Sequence, residues 1–298
     1  MDNLYPVNNM YFKRIGLAIA FSPRAEAMLA EAARLRNLCQ AQLILIHVSR
    51  EAREDEPTLL KLLSKQGLSR TDVEVHWRTG EPSRQILAAC NEYRIDLLIT
   101  GALKKEGLVQ HYLGSVARKI LRNSTCSVLT LIHPGKQPKP FTNIVVDAEE
   151  NSSAKGTLRY ACWLGVKEQA HWLHVVREIK LYGLTMSSAS QVTETEYNKL
   201  RQDLVEREVG SVQKMLNEIP RNGLKINIKI LSGKSGFEIA QFAKRKQADL
   251  LVVGAPPRRL FLIDRLFPHD LEYIFADLPT NLLVVHPGKE SKMKSTRA

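Results

Sequence analysis

The chain has 298 residues, of which 44% are hydrophobic and 25% are charged, and this is the composition of a globular protein. Its apolar runs are all shorter than the roughly 18 residues that a membrane span needs, which argues against a membrane protein. The net charge of +12 comes from dispersed basic residues without interleaved aromatic residues, which argues against nucleic acid as a partner. Cytoplasmic location is the default expectation, because the apolar segment after Lys13-Arg14 is interpreted as a first strand and not as a signal peptide.

In the first half of the chain, strands alternate with helices. Apolar or alternating runs predict the strands, and apolar residues at helical spacing predict the helices between them. The predicted elements are strand 13–21, helix 23–38, strand 42–48, helix 57–66, strand 72–78, helix 82–93, strand 96–101, helix 111–122 and strand 126–132. This alternation indicates a parallel sheet with right-handed crossovers and helices on both faces.

After a linker at 135–141 that contains two prolines, the same order returns. The second set is strand 143–148, helix 153–165, strand 170–176, a helix, strand 225–231, helix 235–247, strand 249–254, a helix and strand 281–286. The predicted fold class is therefore α/β, with two tandem open parallel five-stranded sheets that carry helices on both faces. The predicted domains are 10–136 and 141–289.

Residues that recur at a fixed distance support this division. The matched residues are Gly80 and Gly233, Asp96 and Asp249, and Gly101-Ala102 and Gly254-Ala255 at an offset of 153, and Phe12 and Phe141 at an offset of 129. The peptide His47-Val48-x-Arg50-Glu51 is matched to His174-Val175-x-Arg177-Glu178 at 127, so the offset grows by 26 residues before Gly233. A repeat this long indicates duplicated domains, because solenoid units are shorter.

The growth in offset marks an insertion at 180–219 in the second half. Residues 180–192 are predicted to form a loop. Residues 194–219 are predicted to form a long helix, with Thr193 as N-cap and Glu196 completing a capping box. Two interpretations of this helix stay open: it binds a partner, or its apolar stripe covers one sheet face.

The cysteines predict buried free thiols. They are Cys39, Cys90, Cys126 and Cys162, and each stands in an apolar stretch. No two of them have the spacing of metal ligands, and a disulfide framework is not expected. We therefore predict a reducing compartment and no metal site.

A candidate ligand site lies at the carboxyl ends of the first-half strands, because open parallel sheets bind ligands where the strand order switches. Gly101 ends one of these strands, and Leu113-Gly114-Ser115-Val116 lies early in the next predicted helix. Glycines let a backbone approach a ligand closely, and N–H groups near a helix start can hold phosphate. Loop closure is the alternative explanation for the glycines.

These residues resemble a motif of the universal stress protein family. The chain reads Gly101-Ala-Leu-Lys104, nine further residues, Gly114-Ser115, a helix and a closing strand around Cys126-Ser-Val128. Nucleotide-binding members of that family carry G-x-x-G, nine residues and G-[S/T] at this point. The resemblance covers both halves and implies an adenine nucleotide alpha-hydrolase-like fold. It also implies halves that pack through their last strands as an internal pseudo-dimer, and it leaves a homodimer of the whole chain open.

The resemblance implies a nucleotide site in the first half that departs from the family pattern at two positions. The residues it implies for binding ATP are Ala20, Gly101, Lys104, Gly114, Ser115 and Val116. Lys104 replaces the second glycine, and Ala20 stands where ATP-binding members have an acidic residue at the end of the first strand. Lys104 and Lys105 could replace this anchor by charge, or they could be solvated lysines. Weak binding of an adenine nucleotide is the resulting expectation.

The second half departs further from the family pattern. Pro256-Pro257 follow Gly254, and prolines have no N–H group to offer a phosphate. Pro268-His269 stand where Gly-Ser is expected, and the first-strand anchor falls on Glu149, or on Asp147 if a gap is allowed. We expect this half to be degenerate and not to bind ATP in the way of the family.

Three functions fit these features. The first is a non-enzymatic stress-response protein with a weak ATP site in its first half. The second is a slow ATPase or nucleotidyl-transfer enzyme, against which the first half shows no acidic pair for Mg²⁺ and no general base. The third is a scaffold that has lost ligand binding and holds a partner with the 180–219 insertion. No catalytic residue and no metal ligand is predicted.

Overall fold

The computed structural model describes residues 11–49, 56–104, 111–149, 153–179, 193–233, 236–255 and 269–286. The elements of the first half are β1 (Arg14–Ala18), α1 (Ala25–Cys39), β2 (Gln42–Ser49), α2 (Glu56–Lys65), a 3-10 turn (Arg70–Asp72), β3 (Val73–Thr79), α3 (Pro82–Glu92), β4 (Leu97–Gly101), β5 (Leu103–Lys104), β6 (His111–Tyr112), α4 (Ser115–Asn123) and β7 (Ser127–Leu131). Those of the second half are β8 (Asn143–Asp147), α5 (Ala154–Lys167), β9 (Trp172–Ile179), α6 (Glu194–Asn217), β10 (Ile226–Ser232), α7 (Phe237–Arg245), β11 (Leu250–Gly254), α8 (His269–Ala276) and β12 (Asn281–Val285).

Each half contributes five parallel strands to the sheet. Their order is β3-β2-β1-β4-β7 in the first half and β10-β9-β8-β11-β12 in the second. The five-stranded parallel sheet predicted for each half is therefore confirmed. The strand order switches between β1 and β4 and again between β8 and β11, and these are the points at which such sheets bind ligands.

The two sheets are continuous with each other. β7 and β12 pair antiparallel, with Leu129 opposite Leu283, so the ten strands form one mixed sheet. The sequence predicted that the halves pack through their last strands, and this pairing confirms it. The halves are not two separate sheets, because main-chain hydrogen bonds join them.

The sheet is covered on both faces, as the continuous apolar runs predicted. In β2, Leu43 and Leu45 enter one core, whereas Ile44 and Ile46 enter the other. Successive strand residues point to opposite faces, so a strand buried on both sides must be apolar throughout. Helices α1, α2, α5 and α6 pack on the first face, and α3, α4, α7 and α8 pack on the second. In the described segments, no helix combines the length and the apolarity that a bilayer crossing requires.

The repeated aspartates tie strands together. The Asp96 carboxylate accepts hydrogen bonds from the backbone N–H groups of Lys13 and Arg14, each at 2.9 Å. Asp249 accepts two bonds of 2.8 Å from the backbone at the start of β8. Each aspartate thus joins the start of the fourth strand to the start of the first, which explains its recurrence without a ligand.

Replacing Asp249 with alanine should lower the free energy of unfolding by about 2–3 kcal/mol, because hydrogen bonds to charged groups contribute about 1.5–3 kcal/mol. The change removes the acceptor of the Thr142 and Asn143 N–H groups and of the Thr142 hydroxyl. Urea unfolding followed by circular dichroism measures the loss, with Asp203→Ala on the exposed face of α6 as the control. A loss within about 0.5 kcal/mol, as expected for the control, would contradict the structural role.

The repeated glycines Gly80 and Gly233 follow the third strand of each half with φ angles of 120° and 154°. Residues with a side chain rarely adopt such angles. A Cβ atom at Gly233 would also lie 2.7 Å from Cγ of Glu238. These two glycines are therefore required by the turn into the next helix.

The predicted match between His47 and His174 is wrong. The strand register places His47 at the position of Arg177, and His174 lies three positions earlier. The hydrogen bonds agree with the register: Nδ1 of His47 lies 2.9 Å from the carbonyl oxygen of Ile19, and Nε of Arg177 donates to that of Ala148 at 2.8 Å. A match between short peptides carries no information on the hydrogen-bond register of the strands, and here the peptide match and the register disagree.

The helix predicted from residue 111 begins at Ser115. His111–Tyr112 instead pair antiparallel with Leu103–Lys104, as β6 and β5. Gly114, which was predicted to lie within the helix, is its N-cap residue with extended backbone. Strands of two residues are too short to show an alternating pattern, so the sequence could not indicate them.

The insertion contains the predicted helix and its predicted capping box of Thr193 and Glu196. Val212, from the predicted apolar stripe of α6, is buried together with Leu216, which was not part of that stripe, and both join the core on the first face. Leu200, nearer the start of the helix, is 45% exposed. The C-terminal part of α6 therefore covers the sheet, whereas its N-terminal part is largely exposed. The predicted loop at 180–192 lies outside the described residues, and the domain limits stay a prediction.

One side of the junction between the halves is charged. Arg34 of α1 donates to Glu31 at 2.6 Å and to Glu168, at the end of α5, at 2.7 Å. Its guanidinium also lies over the ring of Phe141, 5.0 Å from the centroid. Both carboxylates are buried, and burial raises the pKa of Glu31.

The other side of the junction is aromatic. The ring of Tyr11 lies 4.3 Å from that of Tyr160, and Phe12 lies edge-on to Trp163 at 5.6 Å. At the offset of 129, Tyr160 and Trp163 are the counterparts of the glutamate and the arginine that form the charged side. The two sides of the junction are thus equivalent in position and different in chemistry.

Candidate functional site

The candidate site lies at the carboxyl ends of β1 and β4, which are neighbours although β2 and β3 separate them in the chain. Gly101 is the last residue of β4, and Ala20 lies two residues beyond β1 with its side chain exposed. The strand order therefore brings these two predicted site residues to one edge of the sheet.

The start of α4 provides the backbone part of the site. Gly114 is the N-cap, Ser115 is the exposed first residue, and Val116 is half-buried. Among the described residues no side chain caps this end of the helix, and the N–H groups of a first helical turn have no acceptor within the helix. Such N–H groups, together with the helix dipole, attract anions. A phosphate group would therefore fit here.

The two glycines of the motif differ in what requires them. A Cβ atom at Gly114 would lie 2.6 Å from Cδ1 of Leu103, which is 52% exposed and packs over the helix start. A Cβ atom at Gly101 would lie 3.6 Å from Sδ of Met28, which is an ordinary contact. A larger residue at position 114 must therefore displace the exposed side chain of Leu103, which can turn away, whereas a larger residue at position 101 meets only an ordinary contact.

Lys104 lies in the same small ladder, where its backbone is paired with that of His111. Lys105 falls within 105–110, outside the described residues. That these lysines bind phosphate by charge stays a prediction.

A cationic side chain that the family motif did not indicate, that of Arg24, also lies at this edge of the sheet. Arg24, between β1 and α1, donates from Nη1 to the carbonyl oxygen of Ala102 at 2.7 Å and from Nη2 to that of Ile132 at 2.6 Å. Burial lowers the pKa of Arg24 from its ordinary value. The guanidinium joins the backbone beyond β4 to that beyond β7 and so fixes the turn after Gly101. Its partners are distant in the sequence, so no local spacing could reveal it.

Three rings lie at the ends of β1, β2 and β3, and sequence reasoning missed one of them, Trp77. Phe21 is stacked 6.1 Å from Trp77 and lies 4.7 Å from His47. Phe21 and Trp77 are partly exposed, whereas His47 is buried. Partly exposed aromatic rings beside a strand end can pack against a flat base. Trp77 also provides a fluorescence signal at this edge.

Residues of the second half form hydrogen bonds with the segment that precedes α4. The N–H group of Leu113 donates to the carbonyl oxygen of Phe275 at 3.0 Å, and that of Leu278 donates to His111 at 2.8 Å. Glu272 of α8 accepts bonds from two arginines of α4 at 2.6 and 3.0 Å. The position of the helix start in the first half therefore depends on α8.

At the corresponding edge of the second half, acidic residues stand where the first half has Ala18 and Ala20. The strand register places Asp147 at the position of Ala18, and by continuation Glu149 at that of Ala20. Pro256-Pro257 and Pro268 lie outside the described residues. That this half does not bind ATP in the way of the family stays a prediction.

Side chains of β9 occupy much of this second edge. Nη1 of Arg177 donates to Glu208 of α6 at 2.6 Å, which ties the insertion helix to the sheet. The Glu178 carboxylate accepts bonds from the N–H groups of Gly236 and Ile239 at 2.7 and 2.8 Å. An internal carboxylate thus fills the anion position at the start of α7.

Asp147 should make stability depend on pH. Burial, and then the carboxylates of Glu149 and Glu178, raise the pKa of Asp147 to about 8. The same carboxyl group titrates near pH 4 in an unfolded chain, so its contribution to stability is full below about pH 4 and is lost as the pH rises through 8. Asp147→Asn should therefore be more stable than wild type at high pH. Urea midpoints between about pH 5 and 9 should show a difference that grows with pH, and a constant difference would contradict the titration.

The fold and the site define a tandem α/β protein in which each half contributes five parallel strands to one sheet, and in which the fourth strand of each half ends in a glycine, Gly101 or Gly254. The model of the universal stress protein family matches residues 50–131 and 140–286, which is most of the chain. The chain therefore belongs to the universal stress protein family, with two domains of that family in tandem.

Comparisons with individual proteins give the same result. The universal stress protein YxiE of Bacillus subtilis strain 168 is 28% identical over 144 residues, which cover 40% of this chain and 97% of that protein. A functionally unknown protein of Pseudomonas aeruginosa PAO1 is 19% identical and covers 94% of this chain and 95% of its own, with a TM-score of 0.65. A universal stress protein of Archaeoglobus fulgidus DSM 4304 is 16% identical and covers 92% and 98%, with a TM-score of 0.63. At these identities the two structures show the fold alone.

Proposed function

We propose that the first half binds an adenine nucleotide weakly and that the chain acts in a cytoplasmic stress response without catalysing a reaction. The second half is, in this proposal, a degenerate partner that supports the site of the first. The cytoplasmic placement is supported by the four cysteines, which are buried free thiols as expected for a reducing compartment.

The observation that carries the proposal is the uncapped start of α4 at the switch point of the sheet. Gly114 and Ser115 stand there at the family spacing from Gly101, with backbone N–H groups suited to phosphate. The partly exposed rings of Phe21 and Trp77 at the same edge offer an apolar surface for the base. Weak affinity is part of the proposal, because Ala20 cannot accept a hydrogen bond from the nucleotide through its side chain.

The absence of catalysis is proposed from the residues around the helix start. Enzymes that transfer phosphoryl groups hold Mg²⁺ with carboxylates and position a nucleophile. The first turn of α4 contains no acidic residue. Within the described parts of the chain, no cluster of three or more His, Cys, Asp or Glu residues could hold a metal ion.

Titration of the full-length protein with ATP, with and without Mg²⁺, tests the proposal. Isothermal calorimetry should give a dissociation constant on the order of tens of micromolar or poorer. The fluorescence of Trp77, isolated by comparison with Trp77→Phe, should change over the same concentrations. The absence of both heat and fluorescence change at millimolar ATP would overturn it, and ADP or pyrophosphate release would favour the enzyme.

A scaffold without a nucleotide is the second candidate. The largely exposed N-terminal part of α6, with Leu200 45% exposed, favours it. The lack of an acidic anchor at Ala20 points the same way. The titration separates the two candidates, because a scaffold should show no response to ATP.

A further inference from the structure

One corner of the second half has a charge opposite to that of its counterpart in the first half. It is formed by the start of β9, by β10 and by the C-terminal end of α7, and its counterpart is formed by β2, β3 and α3. At the offset of 153, the first half has Asp72, Glu74, His76, Glu92 and Tyr93, and the second half has Lys225, Asn227, Lys229, Arg245 and Lys246. The second half thus has a cation at four of these five positions, whereas the first half has a carboxylate at three.

The structure supports this alignment of the two corners. Ile226 pairs with Leu173 in the second half as Val73 pairs with Leu43 in the first, and the helices end at the matched positions Arg245 and Glu92. In the first half the three carboxylates are paired with arginines, so its corner is electrically balanced. The excess of positive charge is therefore a property of the second half and not of the shared architecture.

The fold places an exposed tryptophan beside these cations. The indole of Trp172, at the start of β9, is 44% exposed and lies nearly parallel to the imidazole of His174, with the ring centroids 6.0 Å apart. Nδ2 of Asn227 lies 3.1 Å from Nδ1 of His174, and Phe242 packs edge-on against the same imidazole at 5.6 Å. The imidazole is held by these two contacts and gives the indole a fixed support.

Two of the cations lie directly against the rings. Nζ of Lys225 is 6.0 Å from the ring centroid of Trp172, and Nζ of Lys246 is 5.9 Å from that of Phe242. Burial, and then the charge of Lys246, lower the pKa of His174. The imidazole beneath the indole is therefore neutral at pH 7, and the positive charge of the corner lies on exposed side chains.

The described part of the chain does not neutralise this charge. Within those residues, no carboxylate forms an ion pair with Lys225, Lys229, Arg245 or Lys246. The neighbouring Lys244, in contrast, is paired with Asp277 at 2.6 Å. The four cations and the indole thus form one exposed surface that attracts an anionic partner.

We propose that this surface, formed by Trp172, Lys225, Lys229, Arg245 and Lys246, binds single-stranded nucleic acid; we call it the tryptophan–cation surface. Proteins that bind single strands combine cations that follow the phosphates with aromatic rings on which bases stack. The dispersion of basic residues along the sequence argued against this partner. The fold, however, brings the cations of β10 and α7 together with a ring of β9, from three separate segments of the chain.

Two other anionic partners fit the tryptophan–cation surface less well. The attraction between the carboxylates of an acidic peptide and the cations needs no exposed ring. Peripheral binding to an anionic membrane uses several exposed apolar side chains. Among the described residues of this corner, Trp172 is the only large apolar side chain that is exposed. A flat base joined to phosphates uses both the ring and the cations.

Fluorescence anisotropy of a labelled oligouridylate of about 15 nucleotides, titrated with the full-length protein, tests the proposal. The logarithm of the binding constant should fall against the logarithm of the salt concentration with a slope of about −2 to −3, as expected for three to four phosphate contacts. ATP should not compete, because β8, β11, β12 and β7 lie between β9 and the β4 edge of the candidate nucleotide site. No binding at about 50 mM salt, or displacement by ATP, would overturn the proposal.

Variants of the ring test the stacking. Trp172→Ala should weaken binding of the oligouridylate at least about fivefold, and Trp172→Phe should retain most of the affinity, because any aromatic ring offers a stacking face. Equal affinity of Trp172→Ala and wild type would contradict the proposal. Tighter binding of polyglutamate, or of vesicles that contain phosphatidylserine, would also overturn it and would assign the surface to a protein or a membrane.

Variants of the cations test the location. Lys225→Asp combined with Arg245→Glu introduces the carboxylates that the first half has at these positions, so the fold should accept them. This double variant should lose detectable binding. Lys61→Glu combined with Lys199→Glu changes the net charge equally at exposed positions of α2 and α6 and should retain most of the affinity. An equal loss in both double variants would show that net charge alone attracts the strand, and it would overturn the assigned surface.

Discussion

Gly114→Asp should abolish nucleotide binding while leaving the protein folded. The aspartate would stand at the N-cap of α4, where its carboxylate satisfies the first-turn N–H groups that a phosphate would otherwise use. Two unit charges about 4 Å apart interact by roughly 4 kcal/mol at a protein surface, which is about a thousandfold in affinity. Because aspartate is a good cap, thermal stability should not fall in step with binding.

Gly114→Asn is the matched control for charge. Both side chains cap a helix, and both must displace Leu103, whose Cδ1 lies 2.6 Å from the position of an added Cβ atom. If crowding alone mattered, the two variants would lose affinity equally. Calorimetry should show that the asparagine variant retains more affinity than the aspartate variant. Wild-type affinity in Gly114→Asp would place the nucleotide elsewhere, and ATP bound only in the second half would contradict the proposed site.

Ala20→Asp should tighten ATP binding roughly tenfold to over a hundredfold. A charge-assisted hydrogen bond contributes about 1.5–3 kcal/mol, which corresponds to that range of affinity. Ala20 is exposed at the sheet edge, so an aspartate there costs no buried space. Its counterpart in the second half, Glu149, shows that this position of the fold accepts a carboxylate.

Calorimetry of wild type, Ala20→Asp and Ala20→Asn measures this effect and its dependence on charge. The asparagine variant should gain clearly less than the aspartate variant. Nanomolar binding by the wild type would mean that the lysines at 104 and 105 replace the missing anchor. No binding by any of the three proteins would favour the scaffold.

The sequence predicted the repeated architecture because its signals are local. Runs of apolar residues such as those of β2 show that a strand is buried on both faces, and the long elements lie close to where their patterns placed them, except that α4 begins at Ser115 and not at residue 111. The recurrence of the aspartates and glycines could be seen in the sequence, but the structural reason for each of them could not. Asp96 binds backbone groups more than 80 residues away, and Gly80 is required by a φ angle.

Other features could not be predicted because they depend on contacts between distant segments. The continuity of the sheet depends on pairing between β7 and β12, and the false match of His47 with His174 could be corrected only by strand register. In the candidate site, the motif located Gly114 and Ser115 but not Arg24, which donates to carbonyl groups just beyond two other strands. A side chain that bonds to the backbone of distant strands produces no recognisable spacing of residues in the sequence.

Because the two sides of the junction between the halves are chemically different, a substitution can alter one side without altering the other. In a symmetric homodimer every contact occurs twice, so a single substitution alters both sides of the interface at once. Here Arg34 and Glu31 form one side, and Tyr160 and Trp163 form the equivalent other side, from different codons of one gene. Either side can be strengthened or weakened alone while the other still holds the halves together. Mutation can therefore adjust the strength of the junction in small steps, a freedom that two identical subunits do not have.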